Sequence, residues 1–328
     1  MESGAARSER LRARRRRWSQ DCCEAGVSRL GGGDWGRGAN VKYEGHSSKS
    51  DRSGGVALRT IDIIYALFRQ HIVPAGGEIS AAAIVRLLEN FDVSEDAARC
   101  TISRMKRDGL LANRRSATGS FYRLTRQGEV AARIGEALER PEPAQWDGRW
   151  WLVSYRLPSV KRAWREELRH YLEWLGYGRL GQGQYISPHG YSELLLGRLR
   201  ELGVSKWVDV YAADYLGGRE PKQIAADVWN LPAIDKRYSD FLAKHEPLAR
   251  RFREVGGPRS ILHGQLSFVG HLYLVNDYLD VARDDPRLPE AMLPERWTGG
   301  RARGFFRDYE ASLAKPAAAF FAEVRGEG

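Results

Sequence analysis

Residues 94–125, SEDAARCTISRMKRDGLLANRRSATGSFYRLT, constrain this chain more than any other stretch. Ser94 is of the type that caps a helix, and Glu95 and Asp96 complement the positive end of the helix dipole. Ala98, Ile102 and Met105 recur at helical spacing, so they form the expected buried stripe. The opposite face shows Arg99, Ser103, Lys106 and Arg107, with Arg104 towards the flank. Asp108-Gly109 ends the helix, and Leu110-Leu111-Ala112 and Phe121-Tyr122-Arg123-Leu124 read as two strands around the loop RRSATGS. From Arg99 to Arg126 eight Lys or Arg stand against one acid, Asp108. A helix followed at once by a basic hairpin is the order of a winged helix-turn-helix, whose helix enters the major groove while the wing flanks it. The expected partner is duplex DNA. The expected contacts are Arg99, Ser103, Arg104, Lys106 and Arg107 on the helix, and Arg114, Arg115 and Arg123 on the hairpin.

The charge balance agrees with a polyanionic partner. The net charge of +10 is unevenly spread, with +5 in residues 1–55, +3 in residues 56–140 and +2 in the remainder. Clustering of cations on one helix and its hairpin gives the excess a direction. Two helical patterns precede this helix. VALRTIDIIYALFRQHIV spaces Ile61, Ile64, Tyr65 and Phe68 at helical intervals, and PAGGE breaks it. Ser80 then caps SAAAIVRLLENF, with Ile84, Leu87, Leu88 and Phe91 inward. A helix from Gly128 closes this first domain, expected over residues 55–140, and PEPAQ at 141–145 reads as a linker.

Residues 1–54 have no apolar periodicity and are expected to be a disordered basic tail. Arg14 to Arg17 within it fit either a DNA-contacting arm or a solvated charge run. Cys22 and Cys23 are adjacent and Cys100 lies in a helix, a usage expected of a reducing compartment. No apolar run approaches the roughly 18 residues of a membrane span, and no signal peptide is visible. A cytoplasmic, nucleoid-associated protein with no membrane partner is the expectation.

From residue 146 the character changes. Arg149 to Tyr155, RWWLVSY, is the nearly continuous apolar run of a central strand. SVKRAWREELRHYLEWLG follows as an amphipathic helix with Trp164, Leu168, Leu172 and Leu175 inward. GYGRLGQGQYISP reads as a hairpin, YSELLLGRLRELG as a second helix and WVDVYAAD as a last strand. The order over residues 146–217 is βαββαβ, that of a ferredoxin-like module. Residues 218–325 read as helical to the end. The fold class is therefore α+β and multidomain.

Three stretches resemble one family, the PaaX-type transcriptional regulators, over roughly residues 56–324. The first domain carries the pattern in Ala98-Arg99, Ile102-Ser103-Arg104-Met105 and Asp108-Gly109-Leu110, followed by Tyr122-Arg123-Leu124-Thr125. WDGRWWLVSY, LRHYLEWLGYGRL and YISP resemble the central module, and DPRLPEAMLPERWTGGRAR at 285–303 resembles the C-terminal motif. The resemblance implies a dimeric repressor of catabolic genes for phenylacetate or related aromatic acids, relieved by an aromatic acyl-CoA effector. A single recognition helix reads few base pairs, so a homodimer on an inverted repeat is expected. An acyl-CoA would need cations beside an aromatic slot. Arg296, Arg301 and Arg303 around Trp297, and Arg156 beside Tyr155, are the candidates; Arg156, Trp297, Arg301 and Arg303 are taken as the effector set.

The same sequence argues against other chemistries. The central module also resembles small CRISPR-associated nucleases, but where those place a metal-holding aspartate this chain has Tyr155-Arg156-Leu157. A hard cation needs anionic oxygen ligands, so neither nuclease activity nor a metal is expected. The seven histidines have no HExxH spacing, although His263 and His271 are eight apart. No phosphate loop is present, so no cofactor and no catalytic residue are expected. A ligand-independent architectural DNA-binder fits less well, because over half the chain lies outside the DNA-binding domain and is nearly neutral and rich in tryptophan.

Overall fold

The structure is a computed structural model that describes residues 59–117, 119–133, 146–156, 158, 162–190, 192–254 and 261–326. The basic tail and the linker at 141–145 lie outside the described residues. The described chain is a mixed α+β protein with two small antiparallel sheets. It divides into two compact units. The first draws on residues up to Gly135, on Ala243–Asn276 and on the chain from Phe305; the second on Glu136–Leu242 and Asp277–Gly304.

In the first unit, helix α1 (Thr60–Leu67) widens into a π-helical turn over Phe68–Ile72. Its buried face is Ile63, Ile64, Ala66, Leu67 and Phe68, whereas Ile61 and Tyr65, expected inward, are only half-buried. A short strand β1 (Glu78–Ser80) follows, which the Gly-rich break had concealed. Ser80 caps α2 (Ala81–Leu88), its Oγ accepting from Ala83 N at 3.1 Å. Ser94 caps α3 (Glu95–Arg107) in the same way through Ala97 N at 3.3 Å. The stripe of Ala98, Ile102 and Met105 is buried as expected, and Thr101 joins it by donating its hydroxyl to Ala97 O.

Strands β2 (Leu111–Ser116) and β3 (Gly119–Leu124) form an antiparallel hairpin, and β1 pairs with the far edge of β3. Leu111 and Leu124 lie opposite one another and are buried. Helix α4 (Arg126–Arg133) closes the run, Thr125 Oγ1 accepting from Gly128 N at 3.0 Å.

Stretches of three long helices complete this body. Helix α8 is Leu231–Glu254, α9 is Ile261–Asp284 and α10 is Gly299–Arg325. Within the first unit, Gln265 of α9 donates to Asn90 Oδ1 at 2.6 Å and Arg69 donates to Asn276 Oδ1 at 3.2 Å. Arg86 of α2 donates to the carbonyl of Val324 near the end of α10 at 2.8 Å. His71, in the π turn, is buried against Phe268, Phe321 and the edge of His271, with ring centres 5.1, 5.2 and 5.6 Å away. His271 in turn contacts Glu310 Oε1 at 3.0 Å.

The second unit holds strand β4 (Trp150–Tyr155), α5 (Arg162–Trp174), β5 (Gly178–Gly181), β6 (Gln184–Ser187), α6 (Ser192–Glu201) and β7 (Val208–Ala213). The sheet order is β5-β6-β4-β7, antiparallel throughout. Alternation along β4 feeds two cores. Trp151, Val153 and Tyr155 pack with Leu168, Leu172, Leu195 and Leu199 of α5 and α6. Trp150 and Leu152 pack on the other face with Ile224 and Ala225 of α7 (Pro221–Val228), and with Leu288 and Met292. Because both faces are covered, the strand reads as an unbroken apolar run. Gly178 lets α7 approach β5, since a Cβ there would lie 2.1 Å from Val228 Cγ1 and 2.6 Å from the Trp229 ring.

Burial and the neighbouring His271 hold the His71 imidazole down to about pH 3, well below its ordinary value. The unfolded chain therefore binds a proton between about pH 6.5 and pH 3 that the folded chain does not. Stability is full above that window and is lost as pH falls through it, by about 1.4 kcal/mol per pH unit. Replacing His71 with Phe keeps a ring in the slot and removes the proton. Denaturant unfolding at pH 7, 6 and 5 is expected to show a shallower acid decline for His71→Phe than for the parent; equal slopes would place the titrating group elsewhere.

Candidate nucleic-acid interface

The helix α3 ends in a way that fixes where the hairpin begins. Gly109 N donates to Lys106 O at 3.1 Å and Leu110 N donates to Met105 O at 2.9 Å, with Gly109 at φ +73°. This pair of bonds is a Schellman motif, satisfying two carbonyls of the last turn and placing an apolar residue, Leu110, just beyond it. One residue later β2 starts. Thr125, leaving β3, returns to the same corner, donating its hydroxyl to Gly109 O at 2.6 Å and its N–H to Leu110 O at 3.0 Å. Helix end, hairpin start and hairpin end are thus tied at one point.

All eight expected contact residues are exposed: Arg99, Ser103, Arg104, Lys106, Arg107, Arg114, Arg115 and Arg123. They are not equivalent. Arg99 is paired with Glu95 one turn earlier at 2.6 Å, and Arg107 lies 3.6 Å from Asp108. Arg104, Lys106 and Arg115 have no carboxylate partner among the described residues. Arg104, Lys106 and Arg107 sit in the last turn, where cations complement the negative end of the helix dipole.

On the hairpin, side-chain alternation separates neighbours. Arg114 lies opposite Phe121, and Arg123 lies opposite both Ala112 and Glu78. Arg114, Phe121, Arg123 and Glu78 therefore share one face, and Arg115 shares the other with Leu111 and Leu124, out at the exposed tip. Arg114 is held by Glu78 in a two-pronged ion pair, with a shortest contact of 2.5 Å. Arg123 and Arg126 border a groove of about 470 Å³ along β3 that Ala112, Leu124, Thr125 and Glu129 complete. Glu78 was missed in the sequence, because a strand of three residues beside a Gly-rich break has no periodic signal.

The effector candidates fall in the second unit, and the structure brings only some of them together. Trp297 meets Tyr238 edge-on at 5.9 Å, and Tyr238 lies 6.4 Å from Tyr278. Half-buried Arg303 hydrogen-bonds Tyr278, whose hydroxyl burial nonetheless pushes above its ordinary pKa. Arg301 is exposed on α10, and Arg156 is exposed at the end of β4, where its N–H donates to Trp207 O at 3.0 Å. No contact described here joins Arg156 to the Trp297 group.

The loop 285–289 organises that region. The buried Tyr238 hydroxyl donates to Asp285 Oδ2 at 2.6 Å, and Asp285 Oδ1 accepts from Arg287 N at 2.7 Å. Arg287 is buried with φ +55°, and His189 Nε2 meets Pro286 O at 3.1 Å. Thr298 N donates to Asp235 Oδ1 at 2.6 Å. The acid and the arginine of DPRLP thus pin a loop whose Leu288 seals one face of the sheet. Sequence reading marked this motif but not its partner Tyr238, 47 residues away.

Among the described residues no three His, Cys, Asp or Glu converge to hold a metal ion. His263 stacks on Phe252 at 4.7 Å, and His271 faces His71 and Glu310. No helix among the described residues is long and apolar enough to cross a membrane.

Three family models match successive stretches of the chain. A family model described as "PaaX-like protein" matches residues 59–128, one described as "PaaX protein central Cas2-like domain" matches residues 143–225, and one described as "PaaX-like protein C-terminal domain" matches residues 229–323. The chain belongs to the PaaX family. The transcriptional repressor PaaX of Escherichia coli K12 is 28% identical over 276 residues, covering 83% of this chain and 85% of that protein. An uncharacterized protein of Mycobacterium tuberculosis shares the fold, with a TM-score of 0.54 at 20% identity, over 81% of this chain and 99% of that one. In this PaaX-family chain the first match contains the α3–hairpin corner, and the third contains the Asp285–Arg287 loop.

The buried Tyr238–Asp285 bond gives a direct prediction. Tyr238→Phe removes one donor from a buried carboxylate while leaving the ring, at an expected loss of about 1–3 kcal/mol. Urea unfolding of the full chain measures it. A change below about 0.3 kcal/mol would mean that the loop is held without this bond.

Proposed function

We propose that the chain is a sequence-specific DNA-binding transcriptional repressor. In this reading residues 55–140 form a winged helix-turn-helix that inserts α3 into the major groove, and the β2–β3 hairpin is the wing. Residues 146–217 form the ferredoxin-like module, and residues 218–325 serve effector response and dimerisation. The observation that carries the reading is the corner at Gly109–Leu110, which joins an exposed cationic helix face directly to a cationic hairpin. The repressor activity named for the Escherichia coli relative supports the regulatory class. Genes for aromatic-acid breakdown of the phenylacetate type are the proposed targets, in the cytoplasm and at the nucleoid.

Release from DNA requires an effector that binds the off-DNA arrangement more tightly. The proposed effector is an aromatic acyl-CoA thioester. Trp297 and Arg303, gathered on Tyr238 and Tyr278, supply an aromatic wall and a cation. Arg301 and Arg156 complete the proposed set as exposed cations for the nucleotide phosphates. The proposed active species is a homodimer on an inverted repeat.

The roles separate experimentally on a duplex that the full chain selects from a random-sequence pool. Arg99→Ala and Arg107→Ala are each expected to weaken that complex by about 1–3 kcal/mol if they reach base edges. Unchanged affinity in both would remove α3 from the groove. On the wing, Arg115→Ala is expected to weaken selected and scrambled duplexes alike and to lower the salt slope by about 0.9. Loss of discrimination at constant slope would instead make Arg115 a base reader.

A further inference from the structure

The outer face of the first sheet places a carboxylate among cations that the proposed function assigns to DNA. Arg114 Nε donates to Glu78 Oε1 at 3.1 Å and Nη2 donates to Oε2 at 2.5 Å, so one of the two forked donor edges of the guanidinium is engaged. Its carbon also stands 4.9 Å from the centre of the Phe121 ring. Arg123 occupies the register position opposite Glu78. Hydrogen bonding by Arg114, aided by the positive charges of Arg123 and Arg325, holds the Glu78 carboxyl below the usual carboxylate range. Arg115, next in sequence, points to the other face and has no carboxylate partner among the described residues.

This pair is not a structural lock. The Arg114 side chain is 58% exposed and that of Glu78 is 30% exposed, and ion pairs so placed contribute little to stability. A carboxylate and a phosphate, however, compete for the same guanidinium fork. While Glu78 holds Arg114, the hairpin presents a neutral pair in place of a cation to any DNA that approaches it. Binding to random sequence is almost wholly a sum of phosphate contacts, so it falls with each cation withheld. A duplex seated in register by α3 brings a phosphate to a fixed place, where it can displace the carboxylate.

We propose that Glu78 is an affinity-limiting residue of the proposed interface, a counter-charge that occupies Arg114 in the free protein and must be displaced before Arg114 reaches a phosphate. The proposal rests on the DNA-binding reading above and adds a residue that opposes binding. Glu78 weakens the selected complex by the cost of opening the pair, and weakens random binding by no more than that.

The test compares the full chain and its Glu78→Gln form on the selected duplex and on a scrambled duplex of the same composition, by fluorescence anisotropy across a KCl series. Gln keeps the size of the side chain and removes its charge, and thermal melting of both proteins confirms equal folding. Glu78→Gln is expected to tighten binding to the selected duplex about fivefold at 0.15 M KCl, with a salt slope steeper by about 0.9, as one negative charge leaves the interface. The scrambled duplex is expected to gain no more than the selected one. Adding Arg114→Ala to Glu78→Gln is expected to cancel the gain. Weaker binding of both duplexes would make Glu78 an orienting partner of Arg114 and overturn the proposal. Unchanged binding to the selected duplex, a larger gain on the scrambled duplex, or a gain that survives Arg114→Ala would overturn it equally. A parent chain that binds neither duplex would sink the DNA-binding reading itself.

Discussion

Two backbone hydrogen bonds at the end of α3 set the geometry on which the proposed interface depends. They run from Gly109 to Lys106 and from Leu110 to Met105. A residue with a Cβ at Gly109 would have to adopt φ near +73°, where only glycine is unstrained. With the helix stopped there, Leu111 enters the hairpin buried beside the helix it has just left, and Thr125 brings the far end of the hairpin back to the carbonyls of Gly109 and Leu110. The charged groups on helix and hairpin are therefore arranged by backbone hydrogen bonds and not by their own charges. Arg104, Lys106 and Arg107 suit the last turn electrostatically, so local helix stability and a cationic surface favour the same residues.

The second unit rests on a different device. A sheet covered on both faces needs two sources of apolar cover, and the chain supplies α5 and α6 on one side, α7 and the 285–293 loop on the other. A loop is an unusual cover, because its backbone polar groups must find partners. Asp285 accepting from Arg287 N and Tyr238, and Pro286 O meeting His189, provide them. That requirement explains why an acid lies buried within an otherwise apolar region. It also places Trp297 and Arg303 against tyrosines whose positions the same loop helps to fix.

Most of the secondary structure was legible because its signals are local. Ser80 and Ser94 act as caps, Gly109 ends α3, and the βαββαβ order from Trp150 to Ala213 follows the pattern of apolar runs. Strand β1 and the π turn were not legible. Three residues give no period, and a π turn has the composition of an ordinary helix. The exposed positions of the candidate DNA contacts followed from helical spacing, but their partners did not. Glu78 and Arg114 are 36 residues apart, Tyr238 and Asp285 are 47 apart, and Arg69 and Asn276 are 207 apart. Such pairs come from tertiary packing, and no window along the chain contains them. The buried His71 is the same case, since its environment is made by residues of α9 and α10.

The central claim is that the exposed face of α3 lies in the groove of its DNA. Cys100 is an exposed free cysteine on that helix, next to Arg99, and can carry an iron chelate once Cys22 and Cys23 are replaced by serine. Activated on the duplex selected by the full chain, the chelate should cut both strands within a few base pairs of the centre of each protected half-site. Protection of that duplex without cleavage inside the protected region would show that the protein binds DNA through another surface, and would contradict the interface.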